Sequence, residues 1–120
     1  PSVSLSGDGG FLVTANELAT AAQRNLRLIC VVFDNGIYGT IRQHQEREFP
    51  GRVSGTDIWT PDLVKFAEAF GGLGFRVETN GQAAEAVAAA IENPGITIID
   101  VAVDPENIAA GISMSSLSKR

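Results

Sequence analysis

An aspartate stands alone among glycines in Gly7-Asp8-Gly9-Gly10, where the run SVSLS ends. An asparagine holds a similar place in Asp34-Asn35-Gly36, directly after the apolar run LICVVF. A carboxylate, an amide oxygen and a main-chain carbonyl are all oxygen donors, and such a set suits a hard cation such as Mg²⁺. The glycines at 7, 9 and 10 let the backbone bend sharply and approach a ligand closely. A helical pattern follows, with its start expected near Ala15, and a helix N-terminus favours phosphate. Asp8 by itself would repel a diphosphate. At about 4 Å that repulsion reaches several kcal/mol, even at an effective dielectric of about 20. A cation between the two groups removes the conflict, so the stretch asks for a metal-bridged phosphate.

The elements that must position these groups are legible as alternating patterns. Residues 2–6 read as a strand, and 26–33 as a strand covered on both faces. Between them Ala15 to about Arg24 reads as a helix, with Thr14 as N-cap and Glu17 completing a capping box. Tyr38 to about Glu46 suits a short helix, and FPGRVSGTD a loop. Thr60 as cap and Pro61 at the first helical position open a helix through DLVKFAEAF that stops at Gly71-Gly72. A short strand GFRVE follows at 74–78. The helix QAAEAVAAAIE comes next, starting at Asn80 or Gly81, and ITIIDVAV at 96–103 is the last strong strand. The order β-α-β-α-α-β-α-β predicts an α/β fold, a parallel sheet with helices on both faces. The tail after Asp104-Pro105 is weakly patterned and rich in serine.

Ligands of open α/β sheets bind beyond the carboxyl ends of the strands. Asp8 and Asn35 each follow such an end. Between Gly9 and Asn35 lie 25 residues, enough for one helix and one strand. That brings the chain back to the same sheet edge, and consecutive strands are often neighbours. The two side chains are therefore expected to converge.

Composition narrows the classes. The chain has 120 residues, 44% of them hydrophobic, which supports one domain or part of one with a buried core. A formal charge of −5 argues against nucleic acid and anionic membranes as partners. Cys30, the one cysteine, sits inside an apolar run and reads as a core thiol. No apolar run approaches the roughly 20 residues of a membrane span, and no basic leader precedes an apolar segment. A reducing, cytoplasmic setting is the expectation. Pro1 passes directly into a strand, so a fragment of a longer polypeptide is expected.

GDGGFLVTANELATA followed by VVFDNGIYGTIRQHQE resembles the C-terminal, diphosphate-binding domain of thiamine-diphosphate-dependent enzymes, in the acetolactate synthase-like branch of 2-oxoacid decarboxylases and carboligases. The resemblance runs in pattern from about Val3 to Val103. It implies the thiamine-diphosphate-binding fold over residues 1–120, as a partial domain lacking its start and the separate pyrimidine-binding domain. It implies thiamine diphosphate and Mg²⁺ as cofactors. Asp8, the Asn35 side chain and the main-chain carbonyl of Ile37 would bind the cation. Gly9 and Gly10 would approach the diphosphate, and Tyr38, Gly39 and Thr40 would line the phosphate or thiazolium end. Ile41 and His44 would face the substrate side.

The resemblance also implies a 2-oxoacid substrate, the enzyme's own pyrimidine-binding domain as partner, and a homo-oligomer. No catalytic residue is assigned, and the isolated chain is expected to be inactive. The family often has Asn where Asp34 stands. Simple decarboxylases carry glutamate at the position of Ile41, which points towards carboligases. Acetolactate synthases usually carry tryptophan at the position of His44, so the substrate stays open. His44 is either a proton-transfer group or a solvated helix residue. Trp59 reads as a packing or interface residue, and GGLG at 71–74 as a helix stop. Two other classes compete. A receiver-like signalling domain would need a lysine on a late strand, and neither GFRVE nor ITIIDVAV has one. A non-catalytic assembly domain would not need Asp8 and Asn35.

Overall fold

The computed structural model describes residues 1–109 and 112–117. Its centre is a four-stranded parallel sheet in the order β1-β2-β4-β3, made by Ser2–Gly7 (β1), Leu28–Asp34 (β2), Leu73–Val77 (β3) and Ile96–Ala102 (β4). The apolar runs explain the order. β4 lies between two neighbours and its first five residues are all buried, whereas β1 lies at an edge with Val3 and Leu5 exposed.

Helices cover both faces, as the alternation predicts. On one face Phe11, Ala15, Leu18 and Ala21 pack with Leu63 and Ala67 over Cys30, Val32, Ile96 and Ile98. On the other, Ala86 and Ala90 of α5 (Asn80–Glu92) pack over Ile29, Val77 and Ile99. Cys30 is buried, and burial pushes its thiol above the ordinary value. Val32 and Ile98 are fully buried, each worth about 1.5–3 kcal/mol of apolar transfer.

Three helix starts differ from expectation or sharpen it. The first helix begins at Asp8, not Ala15: α1 spans Asp8–Thr14, a 3₁₀ turn spans Ala15–Glu17, and α2 spans Leu18–Gln23. Gly7 is its N-cap, and the Thr14 side chain makes no capping bond. The reason is packing. Phe11, Ala15 and Leu18 form one buried helical stripe, and its burial carries the helix back through residues of poor propensity.

The expected cap at Thr60 is also displaced. Asp62 caps α4 (Leu63–Ala69), its Oδ1 accepting from the N–H groups of Val64 and Lys65 at 3.1 and 3.0 Å. Asp62 is the better cap, because its carboxylate meets two free N–H groups and the Lys65 ammonium at 3.0 Å. α5 starts at Asn80, with a capping box between Thr79 and Gln82.

α3 spans Gly39–Glu48, starting one residue later and ending two residues later than expected. Gly71 and Gly72 close α4 by donating to the carbonyls of Glu68 and Ala67. The tail carries two short paired strands, Asn107–Ala109 (β5) and Ile112–Ser113 (β6), and the helical turn Met114–Leu117 (α6). Trp59 is 86% exposed, so it adds little to the core of this chain. Among the described residues no helix is long and apolar enough to cross a membrane.

Candidate functional site

The site forms where β1 and β2 end side by side. Their register pairs Gly7 with Phe33, so Asp8 and Asp34 leave the sheet at the same level. The Asp8 carboxylate is buried, 3% exposed. Its Oδ1 accepts from the N–H of Gly9 at 2.8 Å, and its Oδ2 from the N–H of Gly36 at 2.8 Å. The second bond ties the glycine-flanked aspartate directly to the DNG turn.

That turn is built by its own side chains. Asn35 Oδ1 accepts from the N–H of Ile37 at 3.1 Å, an Asx turn. Gly36 has φ +67°, a conformation that side-chain-bearing residues rarely adopt. Its carbonyl accepts from Ile58, and the Tyr38 N–H donates to the Thr56 carbonyl, both at 2.8 Å. The loop before α4 is thereby strapped across the turn. It delivers the Thr60 hydroxyl, which lies 3.4 Å from Asp8 Oδ2 and 3.1 Å from Asp34 Oδ1.

Asp34 is bound on its far side by Arg76 of β3. The guanidinium Nη1 donates to Asp34 Oδ2 at 2.8 Å and to Asp100 Oδ2 of β4 at 2.7 Å. Burial pushes the Asp8 carboxyl above its ordinary value, against the pull of the Gly9 N–H, and Asp34 pushes the same way. Burial would also raise Asp34. The hydrogen bonds from Arg76 and Thr60 and the sharing with Asp8 outweigh it, and Asp34 lies below the ordinary value. Asp100 is raised, because burial outweighs its bond to Arg76.

A cavity of about 310 Å³ opens over this corner, lined by Gly7 to Gly10 and by Ile37 to Ile41. Seven of the eight expected cofactor residues line it: Asp8, Gly9, Gly10, Ile37, Tyr38, Gly39 and Thr40. Asn35 stands just behind, with Nδ2 turned towards Gly39. Ile41 lines the cavity and His44 does not. His44 is exposed on α3, its Nδ1 2.7 Å from Arg47 Nη2. At Gly9 an added Cβ would lie 2.5 Å from Tyr38 Cε1 and 2.9 Å from Ile58 Cδ1. Glycine there lets the Tyr38 ring close against the backbone. A larger hollow of about 580 Å³ lies beyond Thr60, among Asp34, Pro61, Asp62, Arg76 and Asp100.

The chemistry of the expected donors, all oxygen atoms, is that of a hard cation's ligands. Among the described residues no three of His, Cys, Asp and Glu gather to hold a metal. The expected set has one carboxylate, and oxygen donors otherwise. Asp8 accepts three hydrogen bonds where a carboxylate has about four lone-pair sites. Asn35 Oδ1 and the Ile37 carbonyl each accept one bond, which leaves each a lone pair.

Sequence reasoning missed Thr60 and Arg76. Thr60 sits before a proline, where a helix cap was the simpler reading. Arg76 reaches the site only through the strand order, which no local pattern encodes.

Comparison with known proteins agrees with this architecture. Residues 1–101 match the family model of the thiamine pyrophosphate enzyme, C-terminal TPP binding domain. The chain is 39% identical over 102 residues to acetolactate synthase of Bacillus subtilis (strain 168), covering 85% of this chain and 18% of that protein. It is 33% identical over 108 residues to the acetolactate synthase isozyme 2 large subunit of Escherichia coli (strain K12), covering 88% and 20%. Among solved structures, benzoylformate decarboxylase from Polynucleobacter necessarius superposes with a TM-score of 0.81 at 33% identity, over 88% of this chain and 20% of that one. The chain thus spans about a fifth of the length of these relatives. Thiamine diphosphate, implied by the resemblance, is the cofactor that names the matched domain. The chain belongs to the thiamine pyrophosphate enzyme family, as a C-terminal TPP-binding domain.

Proposed function

We propose that this chain is the diphosphate- and Mg²⁺-binding part of a cytoplasmic enzyme that makes or breaks a carbon–carbon bond beside the carbonyl of a 2-oxoacid. Asp8, the Asn35 amide oxygen and the Ile37 carbonyl hold the cation, and the cation holds the diphosphate. Gly9 and Gly10 bring the backbone close to it. Tyr38, Gly39 and Thr40 border the cofactor, and Ile41 lies on the substrate side. When bound, the cofactor supplies the carbanion chemistry, and the protein supplies binding and orientation.

The observation that carries this reading is the 2.8 Å bond from the Gly36 N–H to Asp8 Oδ2. It joins the two motifs at one corner, under one cavity. The relatives include synthases and a decarboxylase, so both bond formation and bond cleavage fit. The apolar Ile41 at the cavity favours the synthase kind. The pyrimidine-binding domain of the same enzyme and a second copy complete the site, and the chain alone has no turnover.

Calorimetric titration of thiamine diphosphate, with and without Mg²⁺, tests the reading. Binding that requires the cation and is lost in Asp8→Ala supports it. Equal affinity with and without the cation contradicts it. Steady product formation from pyruvate by the chain alone would refute the claim of inactivity.

A further inference from the structure

Two carboxylates, not one, stand at this corner, and the second has so far no function. Asp34 accepts from the same Gly36 N–H and the same Thr60 hydroxyl as Asp8, at 3.2 and 3.1 Å. A cation placed on Asp8 would draw Asp34 in as a further ligand. A second ionised carboxylate on one Mg²⁺ lowers the net positive charge that the cation offers a diphosphate and takes up one of its coordination positions.

Arg76 stands in the way of that arrangement. Its Nη1 holds Asp34 Oδ2 at 2.8 Å while Asp34 Oδ1 stays on the donors shared with Asp8, and Asp100 Oδ2 at 2.7 Å anchors the same nitrogen. Both carboxylates are well covered, with side-chain exposures of 14% for Asp34 and 6% for Asp100, so solvent screens these pairs only partly. The anchor is rigid, because Arg76 and Asp100 are paired in register on adjacent strands.

We propose that Arg76 is a positioning residue that, by holding Asp34 Oδ2, keeps Asp34 from joining the cation as a ligand, so that Asp8 remains the single carboxylate donor and the site binds a diphosphate more tightly. The proposal rests on the reading of Asp8 as the cation's ligand. Position 34 then offers the cation no free carboxylate, as the asparagine that the family often has there would offer none.

The test is a double-mutant cycle read by calorimetry on the chain. Wild type, Arg76→Gln, Asp34→Asn and the double variant are each titrated with Mg²⁺ alone and with thiamine diphosphate plus Mg²⁺. In Arg76→Gln the freed Asp34 joins the cation. Mg²⁺ alone then binds as tightly as in wild type or tighter, while thiamine diphosphate with Mg²⁺ binds about tenfold more weakly or worse. The double variant regains affinity to within about threefold of wild type, because the charge that did the damage is gone.

A merely structural brace gives a different pattern: both ligands weaken together in Arg76→Gln, and Asp34→Asn does not restore them. That pattern, or unchanged binding in Arg76→Gln, overturns the proposal. Should Arg76→Gln not fold, Asp34→Asn decides alone. It keeps the acceptor for Gly36 and Thr60 and must bind thiamine diphosphate with Mg²⁺ as well as wild type; a tenfold loss overturns the proposal. If wild type itself shows no cation-dependent binding, the ligand reading fails first, and the proposal with it.

Discussion

Asp8 and Asp34, from the tips of neighbouring strands, accept hydrogen bonds from the same two donors. The Gly36 N–H lies 2.8 Å from one and 3.2 Å from the other, and the Thr60 hydroxyl 3.4 and 3.1 Å. Two carboxylates this close, Asp8 buried and Asp34 half-buried, repel unless donors lie between them. The backbone turn, the strap that delivers Thr60, and Arg76 behind Asp34 supply those donors. The oxygen atoms of the candidate site are thereby held in place by the protein's own donors.

Thr60→Val removes one shared donor while keeping the shape. Hydrogen bonds to charged groups contribute about 1.5–3 kcal/mol, and at a half-buried position a loss of about 1–2 kcal/mol is expected. Urea denaturation should show a lower midpoint with an unchanged slope. An unchanged midpoint would mean that the hydroxyl does not bridge the pair.

Glycines 9 and 10 should respond with opposite signs. A Cβ at Gly9 meets the Tyr38 ring at 2.5 Å, and the half-exposed ring has to move, so Gly9→Ala is expected to lose about 1–2 kcal/mol. A Cβ at Gly10 meets nothing within 4 Å. Gly10 lies inside α1, so Gly10→Ala should gain up to about 1 kcal/mol from helix propensity. Thermal unfolding of the two variants side by side checks this, and equal shifts would contradict the packing described.

Cys30 makes stability fall in alkali. Burial raises its folded-state value above the ordinary 9.0. The contribution is complete below the unfolded value and is lost as pH rises towards the folded one. The stability difference between wild type and Cys30→Ala should therefore be constant near pH 7 and shrink above about pH 9. In the native protein at pH 8 a thiol reagent should label Cys30 only as fast as the chain opens. Immediate labelling would place the thiol at the surface.

Ile98 tests the core that carries β2 and β4. It is fully buried, so Ile98→Ala is expected to cost about 2–5 kcal/mol. Val3→Ala, on the exposed edge strand, should stay within about 0.5 kcal/mol. Comparable losses at both sites would argue against this division of inside and outside.

The strands and their parallel arrangement were legible because LICVVF is apolar throughout, a pattern that a strand buried on both faces requires, and because strands alternate with helices along the chain. The corner of the site was legible too, since Asp8 and Asn35 each follow the end of a strand, and the helix between those strands brings both ends to one sheet edge. The helix starts were not. Glycine propensity argued against a helix at Asp8, yet the Phe11–Ala15–Leu18 stripe buried against the sheet prevailed. Thr60 was obscured by its neighbour Pro61, which made a cap the economical reading until Asp62 proved the better one. Arg76 lies on β3 and Asp34 on β2, and β4 stands between them. Only the crossing order of the sheet brings an arginine 42 residues later against that carboxylate.

The most direct measurement replaces Mg²⁺ by paramagnetic Mn²⁺, which takes a similar oxygen shell, and follows the amide resonances of the chain with thiamine diphosphate present. The account predicts that the signals of Gly9, Gly10, Gly36 and Ile37 broaden first, and that Asp8→Ala abolishes the effect. Broadening centred on Asp62 and Asp100 instead, or broadening that persists in Asp8→Ala, would contradict it.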